Sequence, residues 1–492
     1  MKEVWNRILN PTTGLMDVDE IQIGDFSELY EIGLAHSNKW AKKRGGQYFT
    51  PQDVAGLMAE ELEVLNGENV ADVCCGVGNL ILAYLSRLGV ERVRRLILSG
   101  KLWLYDIDPL AMEICTHSIG TIYGMDVLSS IHQEIGDFLD RTVHLPSDCK
   151  VITNPPYSAI KSIPSSWERT EVVLESRELF ACMVEKVAME SRAAVMITPQ
   201  TFLGGEKFLN LRKVLSKKAG WTVVFDNVPG NIFNGTKHGD FGASNARNHV
   251  RAAITVLDDF SQKPGIRCSG MIRFHHTDRE RLLKMNSISA LVGQVPQVVD
   301  DSHPRFAKCF PSLEGILNQW QRKAGSETLG QHLCDGEFQI CFPDTCRYAT
   351  VGTLRDLNRS GKRILGFRTE EERDLAYCWV NSSFCYWHWR LYDGNIVYQL
   401  GLLKSLPVIM DSLDPNVKEK MIDQAKRMQE MEGQCLKYKG MRGVKQENVK
   451  FPNEERVRLN ELILEAMDCP RDPSAFDIVH SASVYGGFKG KF

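Results

Sequence analysis

Asn154-Pro155-Pro156-Tyr157 carries the clearest chemical content of this sequence. It follows an apolar run, Val151-Ile-Thr153, so a strand delivers it. Two consecutive prolines fix φ and remove two backbone donors, which leaves a rigid loop presenting carbonyl acceptors. Asn154 adds a side-chain carbonyl and Tyr157 a flat aromatic face. Such a set suits a planar ring with an exocyclic amine: two acceptors take its two N–H hydrogens while the aromatic stacks on the ring. The plain alternative is a proline-rich turn after a strand.

A second set lies upstream. Val70-Ala-Asp-Val-Cys-Cys-Gly-Val-Gly-Asn-Leu80 reads as a strand, a Gly-x-Gly turn and a helix start. Gly76 and Gly78 let the backbone turn tightly and approach a ligand closely. The next strand ends in Tyr105-Asp-Ile-Asp-Pro109. Asp106 at its tip is placed to accept from both hydroxyls of a ribose, whereas Asp108 reads as the N-cap of a helix starting at Pro109. Ile135-Gly-Asp-Phe-Leu139 then offers Asp137 as an acceptor for an adenine amino group and Phe138 as an apolar wall. The turn lacks the Gly-x-x-x-x-Gly-Lys-Ser/Thr pattern, and Ile81 stands where a dinucleotide turn has its third glycine. A nucleoside without pyrophosphate fits better, and S-adenosylmethionine is the candidate.

These motifs need a scaffold that brings strand ends together. Apolar runs at 70–73, 102–105, 151–153, 194–197, 222–225 and 251–257 read as strands. Helical patterns fall between them, notably at 79–87, 109–119, 171–190 and 205–216. Such alternation predicts an α/β fold with a mostly parallel sheet covered on both faces. In these sheets ligands sit beyond the carboxyl ends of the strands, where each motif lies. Residues 1–45 read as a helical lead-in. Thr50-Pro51-Gln52-Asp53 suits a helix start. After 258 the rhythm breaks, so 259–411 is expected to be a second domain. Residues 415–437 and 454–467 read as helices of a tail spanning 412–492, joined by a Gly- and Lys-rich linker at 440–450.

The chain has 492 residues, 43% of them hydrophobic and 25% charged, which excludes a disordered chain or a fibre. Fourteen cysteines are too few for a disulfide scaffold. His332, Cys334, Cys341 and Cys346 include no CxxC pair, so a zinc site is not expected. The N-terminal residues lack an apolar signal core, and no run of apolar residues is long enough to span a membrane. A cytoplasmic location without membrane contact is therefore expected. Residues 1–260 hold 26 basic and 33 acidic residues against 33 and 29 in the remainder. A basic second half points towards a polyanion.

Five elements occur in the order seen in N6-adenine DNA methyltransferases of the type that carries its target recognition domain C-terminally. They are Gly46-Gln-Tyr-Phe-Thr-Pro51, Asp72-Val-Cys-Cys-Gly-Val-Gly78, Tyr105-Asp-Ile-Asp-Pro109, Gly136-Asp-Phe-Leu139 and Asn154-Pro-Pro-Tyr157. The sequence resembles that family over about residues 40–258. The resemblance implies a Rossmann-like, seven-stranded methyltransferase sheet at 46–258, a mixed α/β target recognition domain at 259–411, and S-adenosylmethionine as methyl donor. It implies that Tyr48 and Thr50 contact the methionine end of that donor. Asp72, Gly76 and Gly78 would line its centre, Asp106 would hold the ribose, and Asp137 with Phe138 would hold the adenine. Asn154 and the Pro155 carbonyl would bind the target N6 amine, with Pro156 stiffening the loop and Tyr157 stacking on a flipped base. For a second stacking face, Asn231-Ile-Phe233 matches best, with Phe225 as the alternative. The loop 235–249, with Lys237, Arg247 and His249, is a candidate to close over the target strand. Duplex DNA is the implied substrate in a bacterial or phage-infected cell, and a separate restriction endonuclease is an open partner. A release-factor-type glutamine methyltransferase, an RNA adenine methyltransferase and a non-catalytic DNA-binding subunit remain alternatives.

Overall fold

The computed structural model describes residues 50–233, 250–258, 264–294, 305–346, 349–394, 397–441 and 444–486. The lead-in at 1–45, Tyr48 and the loop 235–249 lie outside the described residues. The chain divides into two compact units, Met1–Phe306 and Ala307–Phe492.

An eight-stranded sheet organises the first unit, in the order β3-β2-β1-β4-β5-β7-β6-β8. The strands are β1 (Asn69–Asp72), β2 (Leu102–Asp106), β3 (His132–Ile135), β4 (Cys149–Thr153), β5 (Ala193–Pro199), β6 (Ala219–Phe225), β7 (Ala252–Asp258) and β8 (Gly265–Ile272). β1 is central: Val70 lies beside Leu102 of β2 on one side and Lys150 of β4 on the other, both parallel. Only β7 runs backwards, antiparallel to β5 and β6. The sheet is thus mostly parallel, as expected, but has eight strands rather than seven. β8 pairs in parallel with β6, so the expected boundary at 258 falls inside the sheet. Its run Gly-Ile-Arg-Cys-Ser-Gly-Met-Ile interrupts the apolar pattern with Arg267, Ser269 and Gly270, which hides it as a strand.

Helices pack against the sheet. Helix α1 is Gln52–Val64, α2 Asn79–Leu88, α3 Val90–Leu98 and α4 Pro109–Tyr123. α2 buries Leu80, Ile81, Tyr84 and Leu85, an apolar stripe at helical spacing. At the start of α4, the Asp108 carboxylate accepts from the Leu110 and Ala111 amides at 2.9 and 3.4 Å, the N-cap read from the sequence. The helix expected over 171–190 is two, α5 (Glu171–Ser176) and α6 (Leu179–Glu190), because Arg177 adopts φ 52° between them. The loop after Tyr157 exploits that break: the Ile160 amide donates to the Arg177 carbonyl and the Leu179 amide to the Ser158 carbonyl. The 205–216 pattern shortens to α7, Leu209–Leu215, preceded by a 3-10 turn.

The second unit has its own core, rich in aromatic side chains. Tyr377, Trp379, Phe384, Tyr386, Trp387 and Trp389 are all buried in it, so the aromatic run at 377–389 is packing. They ride on α8 (Glu370–Asn381) and α9 (Ser383–Tyr392), with an antiparallel pair β9 (Phe338–Pro343) and β10 (Lys362–Phe367). The expected tail is part of this unit. Val417, Met421, Ala425 and Met428 of α10 (Pro415–Met431) and Leu459 and Ile463 of α11 (Asn453–Ala466) enter the same core. The expected linker at 440–450 is a hairpin of Leu436–Met441 and Val444–Val449. Among the described residues no helix is long and apolar enough to cross a membrane. The His332 imidazole pairs with Glu327 at 3.0 Å; among the described residues, the one His/Cys/Asp/Glu group gathered within ligand reach is Glu327, His332 and Asp411, without the three cysteines.

Candidate active site

At the end of β1 the chain must reverse into α2 within six residues. Gly76 and Gly78 make this possible at φ 52° and 97°, a region costly for residues with a Cβ. The turn is pinned to the neighbouring strand: the Gly76 amide donates to Asp106 Oδ2 at 2.7 Å and the Cys75 amide to the Tyr105 carbonyl at 3.1 Å. Asp106 Oδ1 accepts from the Asp108 amide at 2.9 Å. Burial raises the Asp106 pKa above its ordinary value, opposed by those amides.

A cavity of about 170 Å³ opens over these strand tips. Thr50, Gly76, Asp106, Asp137, Phe138, Asn154 and Pro156 all line it, from five separate stretches of sequence. Two of the residues expected to contact the cofactor are elsewhere. Asp72 is fully buried beneath the turn, and burial pushes its carboxyl up to about 8. Its Oδ1 accepts from the Cys74 amide at 3.3 Å, while Oδ2 has no partner. Gly78 is the N-cap of α2 and packs against the Cys115 side chain rather than the cavity. Both therefore shape the turn and do not touch the lumen.

On the far wall, Asp137 Oδ1 accepts from the Leu139 amide at 3.0 Å and Oδ2 from the Trp167 indole at 2.6 Å. Phe138 packs edge-on against Tyr105, with the Lys186 ammonium 4.9 Å from its ring centre. Trp167, together with the lining residues Leu179 and Met183, carried no motif and escaped sequence reasoning. The break between α5 and α6 is what brings Leu179 to the wall.

Asn154 follows β4, all five of whose residues are buried. Its Nδ2 donates to Thr50 Oγ1 at 3.0 Å, which fixes the side-chain amide and sets Oδ1 as its acceptor end. Tyr157 is anchored by its hydroxyl, which donates to the Ile197 carbonyl at 3.0 Å, and by Phe180 edge-on at 6.3 Å. Phe233 meets Tyr157 with ring centres 6.1 Å apart and planes 64° apart. Phe225 instead contacts Phe274 in the core, so Phe233 is the aromatic that faces the loop. The two rings touch edge to face. A base sandwiched between them needs parallel planes about 7 Å apart, twice the stacking distance. The expected sandwich is therefore closed here, and one wall must move to admit a base.

Arg273 and Arg279, within the stretch expected to form a second domain, belong to this first unit and are buried. The Arg273 and Arg251 guanidiniums both pair with the buried Asp226 carboxylate, at 2.9 and 2.8 Å. Arg279 pairs with Asp53.

Residues 21–239 match the family described as N-6 DNA Methylase. Through this segment the chain is similar to that family. It is 21% identical over 222 residues to the type I restriction enzyme EcoEI methylase subunit of Escherichia coli, covering 42% of this chain and 43% of that one. It is 34% identical over 163 residues to the MpnII methylase subunit of Mycoplasma pneumoniae, covering 29% and 28%. It is 26% identical over 286 residues to the type II methyltransferase M.BsuBI of Bacillus subtilis, covering 51% and 52%. The matches thus span about half or less of each relative's length.

Proposed function

We propose that this chain transfers a methyl group from S-adenosylmethionine to N6 of an adenine turned out of duplex DNA, as the modification enzyme of a restriction-modification system. The observation that carries this reading is Asn154, fixed by Thr50 beside a cavity whose walls suit a nucleoside. The lining suits that cofactor: it combines two carboxylates, Asp106 and Asp137, with the apolar side chains of Phe138, Leu179 and Met183. A Cβ built on Gly76 meets nothing within 4 Å, so the turn leaves room for a ligand against the backbone. Bound S-adenosylmethionine would supply a sulfonium methyl to the amine lone pair, with the thioether as leaving group and one N–H proton released.

The protein's own contribution is positional. The N6 lone pair of adenine is delocalised into the ring and is a weak nucleophile. Acceptance of its two hydrogens by Asn154 Oδ1 and the Pro155 carbonyl draws density back to nitrogen. Alignment then supplies most of the rate. Tyr157 and Phe233 hold the base and offset its lost stacking. In this reading the second unit supplies sequence recognition, and a separate endonuclease supplies cleavage. The test is incubation of the purified protein with S-adenosylmethionine and duplex DNA, RNA or a glutamine-containing release-factor peptide. Methyl on DNA adenine supports the reading; methyl only on RNA or peptide replaces it with one of the alternatives.

A further inference from the structure

Arg279 lies 126 residues beyond Thr153 in sequence yet is 2% exposed in the first unit. Its Nε and Nη2 donate to both oxygens of Asp53, at 2.6 and 2.9 Å. Its Nη1 and Nη2 also donate to the carbonyls of Asn231 and Ile232, at 3.1 and 2.8 Å. One guanidinium thus uses its fork on two separate segments, as lysine cannot. Asp53 opens α1, three residues after Thr50, whose hydroxyl holds Asn154. Asn231 and Ile232 precede Phe233, which touches Tyr157, three residues after Asn154. The contacts close a ring: Asn154, Thr50, Asp53, Arg279, Ile232, Phe233, Tyr157 and back.

The two walls differ in how they are held. Tyr157 is tied to the sheet through the Ile197 carbonyl. The segment bearing Phe233 follows β6 without belonging to a strand, and Arg279 grips its backbone directly before that ring. Of the two walls, the Phe233 segment is therefore the one whose placement relative to Asn154 depends on Arg279. We propose, on the adenine-methylation reading above, that Arg279 is a positioning residue. It registers the Phe233 wall against the Thr50–Asn154 pair, so that the flipped base is held where Asn154 can take its amine. It touches neither substrate nor cofactor.

The test is a double-mutant cycle on the full chain with Arg279→Lys and Phe233→Ala. It uses single-turnover methylation of matched and target-mismatched duplexes, 2-aminopurine fluorescence at the target, and S-adenosylmethionine affinity. Misplacement of a reacting group by about 1 Å costs on the order of 100-fold. Arg279→Lys should lose about that factor on matched DNA, show a weaker 2-aminopurine signal, and recover partly on mismatched DNA, with cofactor affinity unchanged. Adding Phe233→Ala should cost little more, because Arg279 acts through that ring. A loss additive with Phe233→Ala, or one equal on both duplexes, overturns the role. If Arg279→Lys does not fold, Asp53→Asn keeps the side-chain shape and removes the charge, and the same cycle decides. A wild-type protein inert towards DNA adenine removes the methylation reading and this role with it. A normal wild type with additive losses removes the role alone.

Discussion

The two turn glycines make different demands that one pair of substitutions separates. Gly78→Ala places a Cβ at φ 97°, and that atom would lie 2.8 Å from Cys115 Sγ and 3.3 Å from Leu82 Cδ1. The left-handed backbone costs about 1–2 kcal/mol, and forcing a buried neighbour aside adds about 1–3 kcal/mol. The loss of unfolded-chain freedom returns about 0.4–1 kcal/mol, so Gly78→Ala should destabilise by about 2–4 kcal/mol. Gly76→Ala, at φ 52° with nothing within 4 Å, incurs only the backbone part, about 1 kcal/mol. Its methyl projects where the cofactor backbone contact is expected, so it should weaken S-adenosylmethionine by an order of magnitude. Urea unfolding followed by circular dichroism reads the first quantity and isothermal titration the second. Cys115→Ala should relieve the clash at Gly78→Ala but not its backbone strain, giving a coupling of about 1–3 kcal/mol. Equal destabilisation by the two glycine variants, or additivity with Cys115→Ala, would refute the reasoning.

Asp72, raised from 3.8 to about 8 by burial, binds a proton in the folded chain that it lacks when unfolded. The stability it contributes is full below pH 3.8 and is lost as pH rises through about 8. Asp72→Asn should therefore flatten the decline in urea-unfolding stability between about pH 5 and pH 8, and an unchanged slope would count against a protonated Asp72. Phe225 and Phe233 are both buried, so truncating either to alanine should cost about 3–5 kcal/mol in unfolding. Only Phe233→Ala should also lose methylation in a way that a target mismatch partly restores; rescue in Phe225→Ala instead would reverse the assignment. DNA affinity of the full chain should fall steeply with salt as Lys and Arg contacts release counterions, and a flat anisotropy titration from about 50 to 200 mM salt would oppose a phosphate-reading surface.

Much of the site was legible because its chemistry is local. Asp106, Asp137 and Asn154 sit at strand tips, where a short motif and a βα rhythm suffice to place them. Asp72 was misplaced because a motif gives the order of residues but not which side of a turn a side chain takes; burial beneath the glycines decided that. β3 escaped because all four of its residues are exposed, and it exists only by pairing with β2. The residues 412–492 looked like a tail because their amphipathic helices show an apolar face without showing what covers it. Arg279 was least legible: its partners are 226 and 48 residues away, and an isolated arginine in a basic stretch reads as surface.

The central claim is that Asn154 presents a target adenine amine to a methyl donor. Its most direct test is to incubate wild type and Asn154→Ala with isotopically labelled S-adenosylmethionine and unmethylated duplex DNA, then digest the DNA to nucleosides. The expected result is label on N6-methyldeoxyadenosine with wild type and a loss of at least about 100-fold with Asn154→Ala, while cofactor affinity by titration is unchanged. Absence of labelled N6-methyldeoxyadenosine with wild type, or undiminished label with Asn154→Ala, would contradict it.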